Sequence, residues 1–382
     1  MKRVFVDALV LREPFTGVAN ALVRTVQAVA DLDGARSYHV LVPRSLRSPF
    51  RPAPNLSVSR SLLVGGGSPG WRVFYEQFLL PFSVARFRAD YAHFPAYVAP
   101  RLLFLPFVLT VHDVIPFTHP AFCRKSTVRH FKFAVPRSVE KAVRVIVPSE
   151  FVRSALLEVF PSCPPEKVKV APLAPAHPPS RLSASKARAL LKERYGIDFP
   201  FFLFVGNIEP KKNLLTLLKA FFAARMRSGF PHKLLIVGSE GWLTEPFHRT
   251  LLTHDMGDMV ETPGYLPAED LPAFYRAAAA FCFPSLVEGF GLPVLEAMQE
   301  GTPCLLSDIP VFRETAGRDA VFLPPVDLAA WREAIERAAA GEYDSAPLRD
   351  ARKARAARFT WERTARLVTE AYSDLEDEIY GG

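Results

Sequence analysis

Cysteine is scarce in this chain, with only Cys123, Cys163, Cys282 and Cys304 among 382 residues. None stands at a metal-ligand spacing from another, and four are too few for a disulfide framework. Long apolar runs are also missing. One of the longest, 102–111, is about half of the ~20 residues needed to cross a bilayer. The opening MKRVFVDALVLREPF places Asp7, Arg12 and Glu13 where a signal peptide would be unbroken, so a cytoplasmic protein is expected. No G-x-G-x-x-G follows the first strand pattern, which argues against a dinucleotide cofactor. No Ser-His-Asp or Cys-His nucleophile pattern stands out, nor does a helix-turn-helix or RNA-binding signature, so no nucleic-acid partner is expected. Disorder is excluded by a hydrophobic fraction of 49% against 23% charged.

Proline, by contrast, is plentiful at 35 residues, but it is scattered without period, which removes collagen-like readings. Charge is distributed unevenly. Residues 1–178 hold 23 Lys+Arg against 11 Asp+Glu, a balance of +12, and the remaining 204 hold 24 against 28, a balance of −4. A basic half suits an anionic partner: a phosphorylated substrate, a membrane surface or nucleic acid. A merely solvated arginine-rich surface is the bland alternative.

Short β-branched and aromatic runs alternate with helical patterns, as in βαβ units with parallel sheets. Strands are expected at 3–10, 38–42, 91–94, 107–112 and 143–148, with a helix at 19–31 and a glycine-rich loop at 64–70. The proline-rich stretch 171–180, APLAPAHPPS, reads as a linker. A second series follows it, with strands at 201–206, 234–238, 279–284, 303–307 and 320–323. Helices are expected at 183–195, 213–227, 271–278, 293–300, 328–340 and 361–380. The predicted architecture is α/β, with two doubly wound domains at 1–175 and 176–360 and a closing helix at 361–382.

The most informative stretch is PSLVEGFGLPVLEAM, 284–298, which follows a strand and leads into a helix with Pro293 in its first turn. Gly289 and Gly291 leave backbone N–H groups open to an anion or a hydroxyl. Glu288 and Glu296, eight residues apart, read as two acceptors for different parts of one extended ligand, or as an ordinary strand–turn–helix corner with a dipole-favoured glutamate. Lys211 and Lys212 stand just ahead of a helix, in VGNIEPKKNL.

These motifs resemble those of glycosyltransferase family 4, a retaining family with the GT-B fold. Glu288–Glu296 is similar to its E-x7-E motif, and VGNIEPKKNL to the segment that heads its second domain. SDIPVFRE (307–314) is similar to the element after the following strand, and 263–266 to a strand end bordering the base. VHDVIPFTHP (111–120) and YEQFLLP (75–81) resemble a branch that includes bacterial mannosyltransferases of O-antigen assembly.

The resemblance implies a nucleotide-sugar donor held by Gly17, Gly206, Asn207, Lys211, Lys212, Tyr265, Leu266, Glu288, Gly289, Phe290, Gly291, Leu292 and Glu296. Glu288 would meet the sugar hydroxyls and Glu296 the ribose. Lys212 and Lys211 would meet the diphosphate, with Asn207 where the family often has an arginine. His112 would stabilise the transition state, with Asp113 orienting its imidazole. Catalysis would rest on His112, Glu288 and Lys212, with no cofactor and no metal. The only D-x-D, Asp31–Asp33, reads as a helix end. GDP-mannose is the first choice of donor and UDP-sugars the second. The acceptor would be a polysaccharide or a lipid-linked glycan, and a non-catalytic sugar- or nucleotide-binding protein is the rival class. Aromatics and cations in 71–88 and 122–132 make an anionic membrane surface an expected partner, at the inner face of the cytoplasmic membrane. The resemblance also allows the closing helix to cross back to the first domain.

Overall fold

The protein's structure, a computed structural model, describes residues 1–65 and 69–381. Two compact units result: Met1–Leu173 joined by the chain from Thr360 onward, and Ala174–Phe359. The first break falls inside the proline-rich stretch, which carries no regular element from 171 to 183.

Among the described residues the first unit has a seven-stranded sheet: β1 (Lys2–Asp7), β2 (Arg36–Val42), β3 (Leu56–Arg60), β4 (Tyr91–Phe94), β5 (Phe107–Thr110), β6 (Arg144–Val147) and β7 (Val168–Val170), in the order β3-β2-β1-β4-β5-β6-β7. The second has six: β8 (Phe201–Val205), β9 (Lys233–Val237), β10 (Val260–Gly264), β11 (Ala280–Phe283), β12 (Cys304–Ser307) and β13 (Val321–Leu323), in the order β10-β9-β8-β11-β12-β13. Every pairing within them is parallel. Helices on both faces explain why strands such as FFLFV are buried at every residue, with no polar alternation. In each sheet the order reverses once, between β1 and β4 and between β8 and β11. A crevice for ligands opens at the carboxyl ends of such strands.

Two strands were not expected from the sequence, and of a third only its end, at 263–266, was. β3 is a half-exposed edge, β7 has only three residues, and β10 ends in Pro263 and Gly264. The first strand stops at Asp7 and not at residue 10, because the Asp7 carboxylate accepts the Leu9 N–H at 3.0 Å and turns the chain. Of the loop expected at 64–70, Gly66–Ser68 lie outside the described residues, and Pro69–Phe74 is already helical. Asp33 caps the helix Gly17–Leu32, and its carboxylate is occupied by Arg36, the Tyr38 hydroxyl and the Ala35 N–H.

The last helix, Trp361–Tyr380, buries Ala365, Val368, Ala371, Tyr372 and Leu375 in the core beneath β1 and β2 and against the helix Gly17–Leu32. A buried guanidinium pins it there. Arg36, 6% exposed, donates from Nε and Nη2 to both Glu376 oxygens at 2.7 and 2.9 Å, and to Ser373 and Asp33. Tyr91 donates its hydroxyl to the same Glu376 at 2.7 Å. Removing one partner of such a pair leaves a buried charge half-compensated. Glu376→Ala is expected to lower the stability of the first unit by about 2–4 kcal/mol, read by urea denaturation. A loss below about 0.5 kcal/mol would place this pair with ordinary surface ion pairs.

Candidate active site

In the second unit the switch point lies between the loops that follow β8 and β11. β8 delivers Gly206, whose φ of +151° and N–H bond to the Val237 carbonyl hold the chain against β9. Gly238, φ +147°, stands beside it, and a Cβ there would lie 2.2 Å from the Gly206 oxygen. Only glycine fits that crossing. The Gly238 N–H continues to the Gly264 carbonyl at 2.9 Å, which brings the end of β10, with Tyr265 half exposed and Leu266 buried, to the same edge of the sheet.

After Gly206 come Asn207 and a single helical turn, Pro210–Lys212, carrying both lysines. Asn213 then takes a left-handed φ of +53° and opens the helix Leu214–Ser228. The second loop is tied to the first by the Leu286 N–H, which donates to the Lys211 carbonyl at 2.8 Å. Glu288, 7% exposed, is thereby held under the two lysines, with Lys212 Nζ at 2.5 Å and Lys211 Nζ at 3.7 Å. Burial alone would raise the Glu288 pKa, yet the two ammonium groups overcome it and hold the carboxyl below its ordinary value. The Lys212 ammonium also lies over the Phe283 ring, 4.6 Å from its centre. Glu209, bonded by the Asn207 amide at 3.3 Å, is pushed up by burial against the pull of the same lysines.

Gly289, Phe290 and Gly291 carry the loop into the helix Leu292–Gln299. Gly291 has φ +91°, and a Cβ there would meet the Phe312 ring at 2.8 Å. With glycine as cap and no acidic residue in the first turn, no side chain of the cap competes for the first N–H groups of this helix. Phe290 is buried against Phe359, and Leu292 is buried as well. Glu296 belongs to a different cluster. One oxygen accepts the Tyr275 hydroxyl at 2.8 Å and the other the Ala176 N–H at 3.4 Å.

In the first unit, His112 follows β5 and is buried. Its Nε2 donates to the Pro95 carbonyl at 2.8 Å, and its ring meets Tyr97 edge-on. The expectation that Asp113 orients this imidazole is corrected. Asp113 accepts from the Tyr97 hydroxyl at 2.8 Å and from the Ile115 N–H at 3.0 Å, and the Pro95 carbonyl fixes the ring. Burial lowers the His112 pKa, only partly offset by Pro95 and Asp113, so the neutral imidazole is favoured. Gly17 begins the helix after β1, exposed, with no atom within 4 Å of a would-be Cβ. No steric demand from the chain itself requires glycine there.

The structure thus brings Gly206, Asn207, Lys211, Lys212 and Glu288 into one cluster, with 289–292 beside it. Tyr265 and Leu266 join along the strand ends, Glu296 is engaged elsewhere, and Gly17 and His112 belong to the other unit. Sequence reasoning missed Glu209, Gly238, Tyr275 and Phe283. Gly238 closes an apolar strand in the same way as Gly206, and that parallel was the available signal. The aromatic residues look like any core position. Among the described residues, no group of three or more His, Cys, Asp or Glu is arranged to hold a metal ion.

Paired lysines and a buried carboxylate at a switch point, beside uncapped helix N-termini, suit a phosphorylated ligand that also bears hydroxyls. The class is that of the glycosyltransferases with the GT-B fold, and the chain belongs to it. The model described as Glycosyltransferase Family 4 matches residues 15–174, and that described as Glycosyl transferases group 1 matches 188–359. Its relatives within the class include bacterial mannosyltransferases. It is 29% identical over 269 residues to O-antigen chain mannosyltransferase B of Escherichia coli, covering 70% of each chain. It is 28% identical over 229 residues to O-antigen chain mannosyltransferase RfbU of Salmonella typhimurium, covering 60% of this chain and 59% of that one. Sucrose-phosphate synthase from Thermosynechococcus elongatus shares the fold at TM-score 0.78 and 19% identity, covering 99% of this chain and all of the other (100%). Anabaena HepE in complex with UDP and glucose follows at TM-score 0.71 and 16% identity, over 98% and 99% of the two chains.

A second cluster marks the switch point of the first unit. Asp7 ends β1, buried, and Glu76 lies in the π-helical turn Tyr75–Leu79, with Arg72 Nε 3.3 Å from its carboxylate. Burial raises both carboxyl pKa values, Asp7 and Glu76 repel one another, and Arg72 offsets only part of this. A carboxyl group whose folded-state pKa is raised stabilises the fold at low pH. That contribution is lost as pH climbs from the unfolded value, about 4.3 for a glutamate, through the folded one. Glu76→Gln removes the loss without changing volume. Its melting temperature should exceed that of the native protein by more at pH 8 than at pH 5, read by calorimetry. An advantage that shrinks at pH 8 would contradict the shift.

Proposed function

We propose that the protein transfers a hexose, with retention and without a metal ion, from a nucleotide-sugar to a glycan acceptor. Mannose from GDP-mannose is the first choice of donor. The observation that carries this reading is the Lys211–Lys212–Glu288 cluster at the β8/β11 switch point. Breaking a sugar–diphosphate bond leaves negative charge on the departing diphosphate. Two ammonium groups and the N-termini of Leu214–Ser228 and Leu292–Gln299 can meet that charge without a divalent cation. Glu288 supplies an acceptor for the sugar hydroxyls, and Glu296, oriented by Tyr275, an acceptor for the ribose. Nearby backbone at Tyr265 and Leu266 borders the base. Neutral His112 contributes at the transition state as a hydrogen-bonding group, not as a general base. The mannosyltransferase names of the relatives favour mannose, and O-antigen assembly sets the expected acceptor as a lipid-linked or growing polysaccharide. UDP-sugars are the alternative donors.

The test is transfer of radiolabelled sugar from GDP-mannose, with UDP-glucose and UDP-GlcNAc in parallel, in EDTA. Turnover with one donor should survive chelation, and Glu288→Gln should lower kcat by about 10²–10³-fold. An absolute need for Mg²⁺ or Mn²⁺ overturns the metal-free mechanism. Nucleotide-sugar binding with neither transfer nor hydrolysis would favour the non-catalytic class.

The same reading places the first unit on an anionic membrane. Among the described residues, no helix is long and apolar enough to cross one. Trp71, Phe74, Phe78 and Phe82 are exposed along one helical stretch, Phe82 to 74%, with Trp71 stacked on Phe74 at 5.4 Å and Phe74 tilted against Phe78 at 5.0 Å. Trp71 donates to the Leu63 carbonyl, and the Gln77 side-chain oxygen accepts the Arg101 N–H, which ties in the segment holding Phe104, 96% exposed. Arg101 in turn covers the exposed Phe133 ring, beside the outward Lys125, Arg129 and Lys132. Apolar groups that enter the headgroup boundary and cations worth about 1 kcal/mol each at an anionic surface are what interfacial binding needs. Flotation with phosphatidylglycerol-containing vesicles should recover the protein at low salt but not with neutral vesicles. The F78S/F82S double variant should stay behind. No binding at low salt would leave a soluble acceptor as the reading.

A further inference from the structure

We propose that Glu288 makes the donor site selective, by pairing with the lysines that a diphosphate needs and releasing them only to a ligand that also brings sugar hydroxyls. This rests on the donor-site reading above and goes beyond it in giving Glu288 a second, competitive role. In the structure the two ammonium groups already have a counter-charge. Lys212 Nζ is 2.5 Å from one Glu288 oxygen, Lys211 Nζ is 3.7 Å from the other, and the Lys212 and Glu288 side chains are only 12% and 9% exposed. Glu209 lies close enough to feel both lysines and Glu288. Two cations therefore face two carboxylates, and the cluster attracts an incoming anion far less than a bare lysine pair would.

A diphosphate that captures Lys212 must pull it from Glu288. A buried carboxylate deprived of its partner is costly, because water cannot replace the lost ion pair. A nucleoside diphosphate offers nothing to Glu288 at that point. A nucleotide-sugar does, since sugar hydroxyls can donate to the freed oxygens and restore their hydrogen bonds. The same exchange runs backwards after transfer. Once the sugar has left, Glu288 reclaims Lys212, and the diphosphate product is weakened in its hold. Glu288 is then a specificity-determining residue that separates substrate from product by one set of hydroxyls.

The experiment is calorimetric titration of GDP and UDP, and of GDP-mannose and UDP-glucose, into the native protein and Glu288→Gln. Glutamine keeps the volume and can accept a hydroxyl, but it does not hold an ammonium as an ion pair. Glu288→Gln should bind the nucleoside diphosphate about tenfold tighter or more, which corresponds to about 1.4 kcal/mol. Affinity for the matching nucleotide-sugar should change far less, so the preference for the sugar form collapses. Lys212→Met should also cost more nucleoside diphosphate affinity in the Glu288→Gln background than in the native one. If Glu288→Gln melts early, Glu288→Asp, with the carboxylate withdrawn by one methylene, must show the same tightening. Unchanged or weaker nucleoside diphosphate binding in a folded variant overturns the proposal. So does an equal Lys212→Met loss in both backgrounds. If GDP, UDP and both nucleotide-sugars fail to bind either protein, the donor-site reading itself falls, and the selectivity role falls with it.

Discussion

A parallel sheet whose strand order reverses leaves a gap that its own helices cannot fill. The chain leaving β8 turns toward one face and the chain leaving β11 toward the other, so neither following helix roofs the space between. Everything distinctive in the second unit is arranged around that gap. The Gly206–Gly238 crossing lets the two backbones approach closely enough to set the lysine loop, and the Leu286 N–H then ties the glutamate loop to it. A side chain at Gly238 would push against the Gly206 carbonyl and move Lys212 away from Glu288. The electrostatics follow from backbone placement, and the backbone placement from two missing Cβ atoms.

Legibility of this fold in its sequence varied with burial. Strands covered on both faces, such as Phe201–Val205 and Cys304–Ser307, declare themselves as apolar runs that nothing else in a soluble chain would produce. The half-exposed β3 and the three-residue β7 did not, because an edge strand shows neither a clean alternation nor an unbroken run. β10 was legible only as a strand end at 263–266, through a motif, because Pro263 suits an edge but reads as a breaker. For the site, motif spacing found Glu288, Lys211 and Lys212. It could not tell that Glu296 turns to Tyr275 and Ala176, since that depends on a helix packing against residues about 20 and 120 positions away. Nor could it see that Asp113 prefers Tyr97 to His112. The two residues are neighbours in the chain, and the choice is made by the loop at 95–97.

The +12 balance of residues 1–178 was visible as a number, but not as an arrangement. In the fold the charges divide into two populations. Arg36 and Arg144 are consumed by the acidic final helix, through Glu376, Asp374 and Glu378. Lys125, Arg129 and Lys132 remain on an outward helix face beside aromatic rings. The same residue type thus serves closure of the unit in one place and an outward-facing surface in another, and only burial separates the two.

The first unit is discontinuous: its sheet comes from Met1–Leu173, but the helix that seals β1 and β2 is made only after Ala174–Phe359. During synthesis on a ribosome, Ala174–Phe359 emerges whole and can fold while the earlier residues still wait. Until Trp361–Tyr380 clears the exit tunnel, Arg36 has no Glu376 and the apolar face that receives Tyr372 stays wet. The unit begun first is therefore completed after the other, and chaperones have longer access to the nascent protein there.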